Sequence, residues 1–333
     1  MQGRFSMQMV SRRGVLTGLA GVATGLGLVR ESRAQAAYPS RPVKVIVPFG
    51  PGGVTDTAAR LWSRHVSERL GQQFVIENQG GGGSSLGIAS ASRAQPDGYT
   101  LLIAASAFAI NPSLNKRPPY DPNDFEGIAM LGITPSVLIV NPSVGATTLP
   151  QLIKLIQDKP KEFTYANSGL GTPQHIQGEM LKYRFSLEMT AVPFPGGAQA
   201  IQSVVGGHVP VALTALTGLP QLINAGQLRA LAVSGKARSP LLPSVPTFEE
   251  AGIADFELGT WTALLVRKGA PSSIVARLYE ETGAFLKLPD TVDRFRNVGL
   301  EPQLLVQGQF SEQLTKEMTE WARIIKLAKI ELQ

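Results

Sequence analysis

Val43-Lys44-Val45-Ile46-Val47-Pro48-Phe49-Gly50-Pro51-Gly52-Gly53-Val54-Thr55-Asp56 is the stretch on which the reading of this chain turns. A short apolar run ends in a loop of Gly and Pro. Two residues of capping type, Thr55 and Asp56, then lead into an amphipathic segment. The order spells strand, loop of exposed backbone N–H groups, helix N-terminus. The first N–H groups of a helix lack intrahelical partners and the helix dipole is positive there, so such an end favours an anion. The same pattern is also an ordinary strand-to-helix turn of an α/β fold. Beyond the loop, Ala58, Trp62, Val66 and Leu70 recur every four residues and Gly71 stops the helix.

Working outward toward the N-terminus, residues 1–36 read as a secretory signal peptide. Arg4, Arg12 and Arg13 form a basic region, residues 14–29 are apolar and uncharged, and Ala34-Gln35-Ala36 supplies a small-x-small cleavage pattern. The apolar run is short of the about 20 residues that span a bilayer. Ser11-Arg12-Arg13-Gly14-Val15-Leu16 resembles a twin-arginine signal, but Val15 stands where an aromatic is common, which leaves the general secretion route open. The implied location is the periplasm. With the five arginines and one glutamate of this segment set aside, the formal charge of +6 falls to +2. The basic balance belongs to the leader and gives no support for nucleic acid. Cysteine is absent, so thiol catalysis and Cys-ligated metals are excluded.

Toward the C-terminus, helix and strand patterns alternate to about residue 233, which implies parallel βαβ units. Residues 128–133 and 136–140 read as two strands. Thr148 reads as an N-cap with Pro150 in the first turn. Beyond residue 258 a strand over 261–266 precedes mostly helical sequence: 272–286, 291–298 and 311 to about 328. The preferred division is two α/β domains, 37–140 and 141–257, with 258–333 returning to the first and crossings near residues 140 and 258.

Four loops that follow strands share their chemistry: residues 49–56, 106–111, 167–172 and 194–198. Each is small and rich in Gly, Ser, Thr, Pro or Asn, and three lead into helix starts. Ligands of open α/β sheets sit beyond the carboxyl ends of strands, so two facing domains would bring two loops each to one cleft. Catalytic groups are sparse. His65, His175 and His208 lack metal-ligand spacing, and only His175, in the first turn of a helix, is placed to meet an anion. Gly83-Ser84-Ser85-Leu86-Gly87 matches the G-x-S-x-G elbow of serine hydrolases, but the strand ends near Glu77 and Ser84 reads as a helix cap. Neither a dinucleotide fingerprint nor a phosphate loop is present, and the run Gly80 to Gly83 reads as a flexible surface loop. No metal and no cofactor is expected.

The whole stretch after the leader resembles the Bug family, the extracytoplasmic solute receptors of tripartite tricarboxylate transporters. The likeness rests on Tyr38-Pro39-Ser40-Arg41-Pro42 before the opening strand and on Glu77-Asn78 with its glycine loop. It continues through Pro96-Asp97-Gly98-Tyr99-Thr100-Leu101-Leu102, Asn111-Pro112 with Tyr120-Asp121-Pro122, and Ser168-Gly169 with His175. Gly226-Gln227-Leu228-Arg229-Ala230-Leu231-Ala232-Val233 and Pro243-Ser244-Val245-Pro246-Thr247 complete it. The resemblance implies a type II periplasmic-binding-protein fold, two α/β domains hinged around a ligand cleft. It implies a monomeric receptor, not an enzyme, that takes a small carboxylate (organic acid, amino acid or aromatic acid) to membrane transporter subunits. A sensor feeding a signalling partner and, remotely, a hydrolase built on Ser85 are the competing readings.

Carried onto this chain, the ligand-binding positions are Gly52, Gly53, Thr55 and Asp56 in the first loop and Ser106, Ala107 and Phe108 after the third strand. The second domain supplies Ser168, Gly169, Thr172 and His175, then Pro195, Gly196, Gly197 and Ala198. The chain departs from the family in two places. Phe194-Pro195-Gly196 stands where many members have Tyr-Lys-Gly, and Leu213-Thr214 where many have an Asp. A less charged ligand end follows, contacted by Thr214, with Phe49, Phe108 and Phe194 as candidate walls.

Overall fold

The computed structural model describes residues 38–115, 117–254, 256, 259–305, 308–327 and 330. The leader expected over residues 1–36 lies outside the described residues. Among those described, no helix is long and apolar enough to cross a membrane.

The opening stretch folds as it reads. Strand β1 (Val43–Val47) lies between β2 (Phe74–Asn78) and β3 (Thr100–Ala105), parallel to both. Val43, Val45 and Val47 enter one apolar cluster and Ile46 the cluster on the opposite face. Leu101 and Ile103 of β3 alternate with Leu102 and Ala104 in the same way. A strand covered on both faces carries apolar residues toward both, which is why these runs are nearly continuous rather than alternating; Lys44, near the start of β1, is exposed and pairs with Glu77.

Helix α1 (Val54–Leu70) buries Ala58, Trp62 and Val66, and ends at Gly71 with φ 70°, whose N–H returns to the Ser67 carbonyl. The Trp62 indole N–H donates to Thr282 Oγ1 at 2.9 Å, which ties α1 to α8 (Ser272–Leu286). Loss of so large a fully buried ring costs about 3–5 kcal/mol on truncation to Ala.

The sheet runs β2-β1-β3-β9-β4-β7-β5-β6, with β8 and β10 also paired to β4. Its centre is β4 (Phe125–Val140), one strand where the sequence suggests two. Up to Pro135 it pairs antiparallel with β9 (Gly259–Arg267). From Ser136 on it pairs with β7 (Val211–Ala215) and, from Val137, with β8 (Arg229–Val233). Pro135 looks like a strand break because it offers no N–H. In the fold it sits at the exchange of partners, and the next N–H, that of Ser136, is taken by Ser234 Oγ at 2.8 Å.

The parallel strands β5 (Phe163–Asn167) and β6 (Met189–Pro193) complete the second half. There Leu138 and Val140 face one cluster, and Val137 and Ile139 the other. Helix α10 (Gln309–Leu327) sends Trp321 and Ile325 into the cluster that holds Leu102 and Ile110.

A second departure from expectation lies after β3. The polar-aromatic loop expected at residues 106–111 is mostly helix, α3 (Ala107–Leu114), with Pro112 inside it. Four apolar residues in five positions, Ala107 to Asn111, are too few for a periodic signal, and tertiary burial of all five decides the matter.

Candidate functional site

Four strands of this sheet deliver four helix N-termini to one place. α1 follows β1, α3 follows β3, α5 (Pro173–Phe185) follows β5, and α6 (Gly197–Val205) follows β6. Gly53, Val54 and Thr55 of the first, Ala107 of the second, Thr172, Pro173 and Gln174 of the third, and Gly196, Gly197 and Ala198 of the fourth all line one cavity of about 320 Å³. Each N-terminus carries the equivalent of about half a positive charge. The N-cap positions of α1 and α6 are Gly53 and Gly196, and neither helix receives a side-chain cap. Both ends therefore have backbone donors with no side-chain acceptor supplied by the chain itself.

The rest of the wall is neutral. Phe49, Ala105, Ile201, Ala215 and Leu222 contribute apolar surface, and Ser168, Thr214, Thr217, Thr260, Gln202 and Gln221 contribute hydroxyls and amides. No Asp, Glu, Lys, Arg or His lines the cavity among the described residues. Gln174 is already committed: its amide N–H donates to Thr260 Oγ1 at 3.0 Å and Ser136 Oγ at 3.3 Å, while its carbonyl accepts from Ser168. Thr214 is different. Its hydroxyl is fully buried on the cavity wall and has no hydrogen-bond partner.

Eleven of the seventeen positions expected from the sequence line this cavity: Phe49, Gly52, Gly53, Thr55, Ala107, Ser168, Thr172, Gly196, Gly197, Ala198 and Thr214. The other six stand behind it. Asp56 accepts from the Gly52 N–H at 2.9 Å, from Arg60 Nε at 2.9 Å and from Asn78 at 2.8 Å. Burial would raise its pKa, but these hydrogen bonds outweigh burial and hold the carboxyl below its ordinary value. The Gly52 N–H is thereby spent on Asp56.

Ser106 accepts the Trp261 N–H at 3.0 Å, and Phe108 stacks on Tyr120 in the core. Gly169 and His175 brace their own loop: the Thr172 hydroxyl donates to the Gly169 carbonyl and accepts from the His175 N–H, and the Gly171 N–H donates to His175 Nδ1. Burial pushes the His175 pKa down, which keeps that nitrogen an acceptor. Phe194, offered as a wall, lines a smaller neighbouring cavity of about 230 Å³ instead.

Thr260, Thr217, Gln174, Gln202 and Gln221 are cavity residues that the sequence does not single out. The only signal was a weak one for Thr260, a polar residue beside Trp261 in a mostly apolar strand that also carries Thr262. The amides look like any solvated helix face.

Pro195 closes the site from the side. Its carbonyl accepts the Gly50 N–H at 3.0 Å, so the first loop is hydrogen-bonded to the loop before α6. The glycine run is part of the same closure and not a free surface loop. A Cβ on Gly83 would fall on the Leu170 carbonyl, and Asn111 Nδ2 donates to the Gly83 carbonyl at 2.6 Å. Ser85 starts α2 (Ser85–Ser92) with its hydroxyl buried and unpartnered, so no base is hydrogen-bonded to it as a nucleophile would require.

A larger cavity of about 810 Å³ lies on the other face of the exchange strands, where Trp261 points rather than Thr260. Its arginines Arg238 and Arg296 are paired with Glu250 and Glu301.

Comparisons agree on the kind of protein. Residues 58–330 match the family model described as tripartite tricarboxylate transporter family receptor. Protein BugT of Bordetella pertussis is 32% identical over 292 residues, 87% of this chain and 90% of that protein. A solved R. palustris structure with adipate superposes with a TM-score of 0.84 at 31% identity, over 88% of this chain and 99% of that one. MatC from Rhodopseudomonas palustris with bound malate gives a TM-score of 0.83 at 28% identity, over 86% of this chain and all of that one.

Proposed function

The chain belongs to the tripartite tricarboxylate transporter receptor family, and from that membership we propose that it captures a small carboxylate in the periplasm and hands it to the membrane subunits of such a transporter. The family and the structural neighbours are solute-binding receptors and not enzymes. The observation that carries the ligand class is the convergence of four helix N-termini on a cavity that no charged side chain lines among the described residues. Backbone N–H groups stabilise a carboxylate without bringing a counter-charge into the cleft. Several charge-assisted hydrogen bonds of about 1.5–3 kcal/mol each cover the roughly −8 kcal/mol of a micromolar complex after ordering costs.

Capture is binding followed by closure. The two groups of strands share β4, so rotation at Pro135 and Ser136 would open the cleft and let the acid enter. Closure would restore the Gly50–Pro195 bond and shield the carboxylate from water. The closed face is then the surface on which a membrane subunit reads the loaded state.

A thermal-shift screen of carboxylates on the mature protein tests this. A ligand at 100 times its Kd stabilises by about 2.7 kcal/mol, a shift of several degrees. Gly53→Val adds a side chain where a Cβ meets nothing within 4 Å and φ is −81°, so the variant folds but blocks the α1 donors. The expected result is a shift in the wild type that Gly53→Val abolishes. A screen without a single shift, or an undiminished shift in the variant, defeats the proposal.

A further inference from the structure

We infer that the larger cavity, across the exchange strands from the cleft where the helix N-termini meet, is a second binding site, and that it takes a small amphipathic organic cation, an amine or amidine on an apolar body. Its placement, its lining and its charge carry the inference. None of these depends on what the cleft itself holds.

The floor of this cavity is the exchange of partners: Ile133 and Pro135 of β4 lie beside Gly259 and Trp261 of β9. One wall is a single face of α10, where Gln313, Glu317, Glu320, Trp321 and Ile324 recur at helical spacing. The opposite wall comes from the second half of the molecule, from Leu216 and the segment that holds Ala237 and Leu241. A molecule seated there touches both halves. The volume of about 810 Å³ lies in the range of small-molecule pockets, and most of the lining is apolar.

Charge selects the occupant. Arg238 is paired with Glu250 at 2.8 Å, Arg296 with Glu301 at 2.8 Å, and Glu320 with Arg323. These pairs are closed on themselves and leave Glu317. Its Oε2 accepts from the Trp261 indole N–H at 2.6 Å, and its Oε1 accepts from Gln313 Nε2 at 2.8 Å. Both donors are neutral, and no cation among the described residues is paired with it. Burial pushes its pKa up, and these two bonds push it down. A carboxylate withdrawn from water without a counter-ion is what a cationic ligand relieves, and each oxygen keeps a lone pair for one more N–H. Trp261 and Trp321 add aromatic surface beside it, which favours a cation over a neutral molecule of the same shape.

The test uses probes matched in shape and different in charge. Phenylbutylamine is titrated against phenylbutanol, and benzamidine against benzamide, by calorimetry on the mature protein. None of the four carries a carboxylate. Each cation is expected to bind about tenfold tighter than its neutral match, or more. It should also shift the tryptophan emission, since two of the three tryptophans line the cavity.

Two variants locate the binding. Glu317→Gln keeps an acceptor for the Trp261 N–H and removes the charge, and it is expected to erase the preference for the cations. Ala237→Trp fills the cavity from an exposed position on the opposite wall, without disturbing the core, and is expected to abolish their binding. Equal binding of cation and neutral match, no binding of either cation, or wild-type binding by either variant overturns the inference.

Discussion

Asp56 shows how far a residue's type and place predict its role. An acid in the first turn of a helix reads as part of an anion site, yet the fold uses it to hold the loop. It takes up the Gly52 N–H, leaving Gly53 and the residues after it to face the cavity. Its depressed pKa has a stability consequence whose sign is definite. A carboxyl held below its unfolded value of about 3.9 contributes stability that is present above that pH and lost as the pH falls through the lower folded value. Asp56→Asn is therefore expected to cost on the order of 2 kcal/mol at pH 7, from weakened charge-assisted bonds to Arg60 and Gly52. It should also flatten the acid limb below about pH 4. Urea midpoints at pH 7 and pH 3 measure both; equal losses at the two pH values would show that the charge of Asp56 is not what stabilises the loop. Thr214 is the converse case: the sequence marks it only by its departure from the family pattern, and in the fold it is a fully buried hydroxyl on the cavity wall with no partner.

At the scale of elements, the glycine run before α2 differs most from its sequence. Successive glycines with no packing side chains read as a mobile surface loop. In the fold Gly83 takes φ +59° and lies so close to Leu170 that a side chain has no room. Gly80 lies equally near the Gly50 N–H and the Pro195 carbonyl, with 3.0 and 3.2 Å to a Cβ. The run is thin because two loops must meet there. Gly83→Ala is expected to lower carboxylate affinity more than tenfold, since a methyl group holds the loops apart. The unliganded protein should lose only the about 1–2 kcal/mol of a left-handed alanine. Calorimetric titration with a melt of the free protein separates the two, and an affinity equal to wild type would remove this contact from closure. The helices themselves were legible: α1 from its four-residue apolar spacing, and α4 (Leu149–Asp158) from the Thr148 cap, whose hydroxyl accepts from the Gln151 N–H. What the spacing could not give was α3, whose helical state comes from burial between β3 and α10 rather than from any pattern of its own.

For the whole molecule, the decisive element is β4, which belongs to both groups of strands. Two sheets with separate cores joined only by a linker would melt independently. Here the apolar clusters of each half rest on the same strand, so the mature protein is expected to unfold in one transition with equal calorimetric and van't Hoff enthalpies. Two resolved transitions in scanning calorimetry would mean that β4 does not couple the halves. The sequence by itself determined the alternating strands and helices, the loops at strand ends, the lack of catalytic groups and the family. Those are local features, set by spacing, capping and composition within a few residues. The tertiary structure alone decided which polar groups remain free to meet a ligand, because the groups that use up the others come from far along the chain. Ser106 is occupied by a backbone 155 residues away, and Gln174 by a hydroxyl 86 residues away. A hydrogen-bonding group can be spent only once, and where it is spent depends on which strands lie side by side.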